Sequence, residues 1–109
     1  MEENNSNGTL ELGGNINLTG FSEFDGGTMI ILKKIIGNHV KKLAELSNNF
    51  ETLHITSKPI HHTHEEAKKF EVKAKVIDNG KVYNTETVER NIFVAIDNVL
   101  KKLDTVMDR

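Results

Sequence analysis

The stretch Val88–Arg109, VERNIFVAIDNVLKKLDTVMDR, decides the fold. Ile92, Ile96, Val99, Leu103 and Val106 recur at helical spacing and form one apolar stripe. Phe93, Leu100 and Met107 widen it on one side. A helix this apolar must bury its face against another layer. The preceding residues therefore have to supply a matching surface.

Working upstream, they supply it as strands. Ala67–Ile77 alternates strictly, with Phe70, Val72, Ala74 and Val76 facing in and Lys69, Glu71, Lys73 and Lys75 facing out. Asp78-Asn79-Gly80-Lys81 then predicts a type I′ hairpin, because Asn-Gly accepts positive φ at both central positions. That turn sets Val76 opposite Tyr83, Ala74 opposite Thr85 and Lys73 opposite Glu86. Phe50–Lys58 is a further strand, expected to stop at Pro59, with Pro59–Glu66 as a connection.

Met29–Leu46 reads as another helix, with Asp25 and Thr28 as candidate N-caps. Met29, Leu32, Ile36, Val40 and Leu43 share its inner face, flanked by Ile35 and Leu46. Gly37 inside it predicts close packing against a strand. Asn15–Phe21 has the period-2 pattern of a half-buried strand. Residues 1–13, polar and rich in Asn and Gly, read as a flexible N-terminal tail, leaving residues 14–109 as one domain. The order is β-α-β-β-β-α. This predicts an α+β fold: a four-stranded, mainly antiparallel sheet with two helices packed on one face and a polar opposite face.

Composition narrows the function classes. The chain has 109 residues and no cysteine, so neither a disulfide framework nor a thiolate metal site can form. No apolar run reaches membrane-spanning length, and the acidic, Asn-rich start does not resemble a secretory signal. A cytoplasmic protein is expected. The net charge of −2 is uneven. Residues 1–27 hold Glu2, Glu3, Glu11, Glu23 and Asp25 but no Lys or Arg, so the remainder is mildly basic.

Enzyme signals are sparse. Gly80-Lys81 lacks the rest of a phosphate loop, and there is neither a G-x-S-x-G elbow nor a Cys nucleophile. A non-enzyme needing no cofactor is expected. His61, His62 and His64 stand in one loop with Glu65 and Glu66, chemically able to ligate zinc but at no familiar spacing. A polar loop is the favoured reading of that segment.

Basic residues on the helices point elsewhere. Lys34 and Lys41 share the outer face of the first helix with Asn38 and Glu45, flanked by Lys33 and Lys42. On the last helix Asp97, Asp104 and Asp108 surround Lys101 at ion-pair spacing, whereas Lys102 shares a flank with Asn98 and Arg109. Lysines spread over two rigid helices suit an RNA phosphate backbone. With Arg90, the candidate RNA-binding set from helix geometry is Lys34, Lys41, Arg90, Lys102 and Arg109, to which the resemblance given below adds Lys42. Two alternatives stay open: a protein-interaction module using the open sheet face or the loop, and a metal-binding protein using His61–Glu66.

The element order and the last helix resemble the ribosome hibernation-promoting factor / ribosome-associated translation inhibitor family. Its last-helix pattern, close to D-M-Y-x-A-I-D-x-x-x-D-K-L, is met by Ala95, Ile96, Asp97, Lys102 and Leu103, with Ile92 for Met and Phe93 for Tyr. Lys42-Leu43-Ala44-Glu45-Leu46 leading to Phe50 is similar to that family's K-L-A-x-L…F. The likeness spans about Asn15 to Arg109 and departs where Asp104 and Asp108 interrupt a usually basic helix. It implies a fold like that of double-stranded-RNA-binding domains, and a stress-response protein that inhibits translation. Such a protein binds rRNA of the small ribosomal subunit in the tRNA/mRNA channel, with Lys42 and Lys102 among the contacts. The chain shows no dimerising extension of the kind long family members carry, so a monomer is expected.

Overall fold

The structure is a computed structural model that describes the backbone at residues 9–11, 15–61 and 68–107, and side chains at 15–60 and 68–107. Its elements are β1 (Thr9–Glu11), β2 (Ile16–Thr19), α1 (Gly26–Leu46), β3 (Phe50–His61), β4 (Lys68–Asp78), β5 (Lys81–Glu89) and α2 (Ile92–Met107). The strands form one sheet in chain order, antiparallel throughout except for β2 against β3. The parallel pair sets Ile16 opposite Leu53 and Thr19 opposite Thr56. Parallel neighbours cannot be joined by a tight turn, and α1 is the crossover that joins them. The α+β order read from the sequence is present.

Three boundaries differ from the sequence reading. Thr9–Glu11, inside the segment read as a tail, pairs antiparallel with β2 and adds a fifth strand at the edge. Pro59 does not end β3, which continues to His61 with Pro59 opposite Phe70. The reason is local: β2 pairs no further than Thr56, so β3 is an edge strand beyond it, where a proline costs no ladder bond. Finally, α1 begins at Gly26 rather than Met29, because the Asp25 carboxylate caps it by accepting from the Thr28 N–H at 2.7 Å.

Local chemistry ends the other elements. Asn79 (φ 52°) and Gly80 (φ +83°) form the β4–β5 turn, and the pairings Val76–Tyr83, Ala74–Thr85 and Lys73–Glu86 all occur. The Asp78 carboxylate accepts from the Asn49 N–H at 2.8 Å, tying that turn to the start of β3. Asn91 Oδ1 accepts from the Phe93 and Val94 N–H groups and opens α2.

One core lies between the sheet and both helices. Leu18, Phe21, Leu53, Ile55, Val72, Ala74 and Val76 meet Leu32, Ile36 and Leu43 of α1 and Ala95, Ile96, Val99, Leu100 and Leu103 of α2. The α2 stripe is rotated slightly from the sequence reading: Met107 is buried and Val106 is exposed. Phe24 bridges Phe21 and Phe70 with tilted rings at 5.8 and 5.6 Å. Gly37 is not a packing glycine, since nothing would meet a Cβ there within 4 Å. Gly20 is one. It has φ +85°, and a Cβ would overlap the Ser57 carbonyl oxygen of β3.

Two glycine variants separate conformational strain from close approach. Gly80→Ala, with open space around it, should cost about 1–2 kcal/mol from its positive φ alone. Gly20→Ala must also displace β3 and should cost at least about 1 kcal/mol more. Urea denaturation of the two reads the difference directly, and equal losses would mean that the β2–β3 approach is not tight.

Candidate nucleic-acid interface

Helix α1 turns Lys33, Lys34, Lys41 and Lys42 to solvent, together with Asn38 and Glu45. Among the described residues none of these lysines joins an ion pair. Lys34, Lys41 and Lys42 are thus held on one rigid element with their charges free. Burial of Leu32, Ile36 and Leu43 on the opposite side fixes that orientation.

The seam between the helices carries a polar cluster. His39, buried on α1, places Nε2 2.9 Å from Asp97 Oδ1 and Nδ1 3.9 Å from Asp104 Oδ2 of α2. The His39 hydrogen bond, and then that of Lys101, hold the Asp97 carboxyl below the ordinary carboxylate range. Lys101 Nζ sits 3.0 Å from Asp97 Oδ2, so the ion pair read from sequence spacing is present. Asp97 and Asp104 nevertheless serve α1 as well as their own helix. Among the described residues, His39 Nδ1 and Asp104 Oδ1 are buried without a hydrogen-bond partner. Sequence reasoning passed over His39, although it lies three residues after Ile36 and four before Leu43, on the buried stripe itself.

The other flank of α2 is tied to the sheet. Lys102 Nζ donates to the Glu86 carbonyl of edge strand β5 at 2.8 Å. Asn98 Nδ2 donates to Glu89 Oε2 at 2.9 Å, and Thr85 Oγ1 donates to the Val99 carbonyl. Arg90 is exposed at the junction of β5 and α2. The structure therefore brings Lys34, Lys41 and Lys42 together. Lys102 stands on the far side of the His39–Asp97 seam, by β5. Arg109 lies outside the described residues. The open sheet face, read from the sequence as polar and as a possible protein-interaction surface, carries a second group of lysines, Lys69, Lys73 and Lys75.

No family model and no curated protein matches the chain. The metal candidates His62 and His64 lie outside the described residues, as does the side chain of His61, whose backbone closes β3 opposite Lys68. Among the described residues no three His, Asp or Glu side chains converge as a metal site, and no helix is long and apolar enough to cross a membrane.

The helix seam has a pH signature of definite sign. A carboxylate whose pKa is lowered on folding stabilises the fold above its unfolded pKa, and the contribution is lost as pH falls through the lower folded value. Asp97→Asn should therefore cost about 1 kcal/mol near neutral pH, a modest figure because the site is partly exposed. The gap should close as pH falls below about 4. Denaturation curves of both proteins across that window check it, and a pH-independent gap would rule out a charged contribution from Asp97.

Proposed function

We propose that this protein is a non-catalytic, ribosome-associated translation inhibitor of the hibernation-factor kind. On this reading it acts in the cytoplasm as a monomer and binds rRNA of the small ribosomal subunit near the tRNA/mRNA channel. The observation that carries the reading is the set of exposed lysines on α1, Lys34, Lys41 and Lys42, none in an ion pair among the described residues. The β2-α1-β3-β4-β5-α2 order with two helices on one face, behind the added edge strand β1, supports it, since the resemblance of the sequence implies that arrangement.

Cations on a rigid helix meet phosphates at fixed positions and read the shape of folded RNA rather than its bases. Releasing counterions supplies the affinity, so binding falls steeply with salt. Asp97 and Asp104 do not oppose RNA freely, because His39 and Lys101 engage them. Lys102 contributes less than the α1 lysines, as its ammonium is already engaged by the Glu86 carbonyl. Arg90 adds a cation beside β5.

Co-sedimentation with purified small subunits at several salt concentrations tests the proposal. Binding at low salt should weaken by orders of magnitude between about 50 and 200 mM. Lys34→Gln/Lys41→Gln/Lys42→Gln should reduce the salt slope by about 3, against less than about 1 for Lys102→Gln. No association at low salt would end the ribosome reading.

A further inference from the structure

The sheet face turned away from the helices is built as a row-and-column array. Thr19, Thr56, Lys73 and Glu86 line up across β2, β3, β4 and β5, and Asn17, His54, Lys75 and Asn84 form the neighbouring row. Strict alternation along β4 puts Phe70, Val72, Ala74 and Val76 in the core and commits Lys69, Lys73 and Lys75 to this side. Lys58 of β3 joins them, opposite Glu71. A shallow depression of about 190 Å³ lies here, lined by Ala74 together with His54, Thr56, Lys73, Lys75 and Asn84, the five with polar side chains.

Each of those five side chains can donate a hydrogen bond, and two are cations. Glu86 faces Lys73 in register, yet no ion pair closes between them, and Glu71 likewise engages none of these lysines. His54 is held in place, its Nε2 2.8 Å from Thr19 Oγ1. Lys73 and Lys75 project about 7 Å apart along β4, so one strand presents two cations in a fixed line.

The chemistry selects the occupant. Single-stranded RNA read on a sheet is held by aromatic rings that stack with bases, and no Phe, Tyr or Trp lies on this face among the described residues. Its lysines, hydroxyls and amides match phosphate oxygens, while Ile77, Val82 and Val88 flank them and Glu71 and Glu86 share the face. We propose that the open sheet face is a second RNA-phosphate surface centred on Lys73 and Lys75. This rests on the RNA reading given above and extends it. The lysines of α1 and those of the sheet stand on opposite faces of a two-layer domain whose shortest extent is 21 Å. One phosphate strand cannot serve both. The domain is a wedge between two RNA segments, gripped by α1 on one side and the sheet on the other.

The test compares the wild type with Lys73→Gln/Lys75→Gln and with Lys34→Gln/Lys41→Gln/Lys42→Gln. All substituted positions are exposed, and amide spectra verify that each variant is folded. Binding to purified small subunits is measured across a salt series, with hydroxyl-radical footprints of the rRNA. The sheet variant should lose about tenfold in affinity at low salt and about 2 in salt slope. It should lose protection of a different rRNA segment from the one lost by the α1 variant. If the wild type binds and the sheet variant matches it, the wedge is overturned and the α1 reading stands. If the wild type does not bind even at low salt, both readings fall together. Weaker binding to whole subunits with unchanged binding to deproteinised rRNA would mean that the sheet meets an acidic protein, which also overturns the assignment. Loss of one shared footprint by both variants would overturn the two-segment geometry.

Discussion

The parallel pairing of β2 with β3 is the constraint on which the rest of the structure depends. Two parallel neighbours oblige the chain to travel back along the sheet, and the return path here is a 21-residue helix. That helix can bury Leu32, Ile36 and Leu43 only by lying on the sheet, which makes one face of the sheet internal and leaves the other open. Helix α2 then packs beside it over β4 and β5. Gly20 marks how close this arrangement brings the backbones, since the turn out of β2 passes directly against the Ser57 carbonyl.

Charge divides the helical layer in a way that composition does not suggest. His39 sits between Asp97 and Asp104, so the acidic column of α2 is drawn toward α1 rather than spread over solvent. On the opposite flank Lys102 and Asn98 reach β5, the last strand of the sheet, whose far edge no strand pairs among the described residues. A lysine over such an edge discourages another chain from adding to it. The same residue thus serves stability as well as any contact with RNA. Among the described residues, exposed lysines outside any ion pair stand on α1 and on the open sheet face, with Arg90 at the junction of β5 and α2.

Much of the fold was legible because its signals are local. The period-2 runs of β3 and β4, the Asn-Gly turn with its register, and the two helical stripes each require only neighbours in sequence. The failures share a different cause. β1 has three residues, too few for a period, and exists through pairing with β2. Continuation of β3 through Pro59 depends on where a neighbouring strand stops. Gly37 looked like a packing glycine and is not one, whereas Gly20 is, and only the approach of β3 distinguishes them. For the site, a helical wheel suffices to place Lys34, Lys41 and Lys42 together. It could not show that Lys102 points to β5 or that His39 bonds Asp97 with Asp104 beside it.

By itself, then, the sequence determined the kind, order and inward faces of the main elements, since side-chain period and turn chemistry act over a few residues. It also determined that Lys73 and Lys75 share a strand face. The Lys101–Asp97 pair within α2 was readable from spacing, but which polar groups meet across different elements was left to the tertiary structure. His39 and Asp97 are 58 positions apart and Lys102 and Glu86 are 16 apart, and such pairs meet only once the helices have docked. Electrostatic pairing depends on separation in space, which the order of residues does not encode until the core has closed.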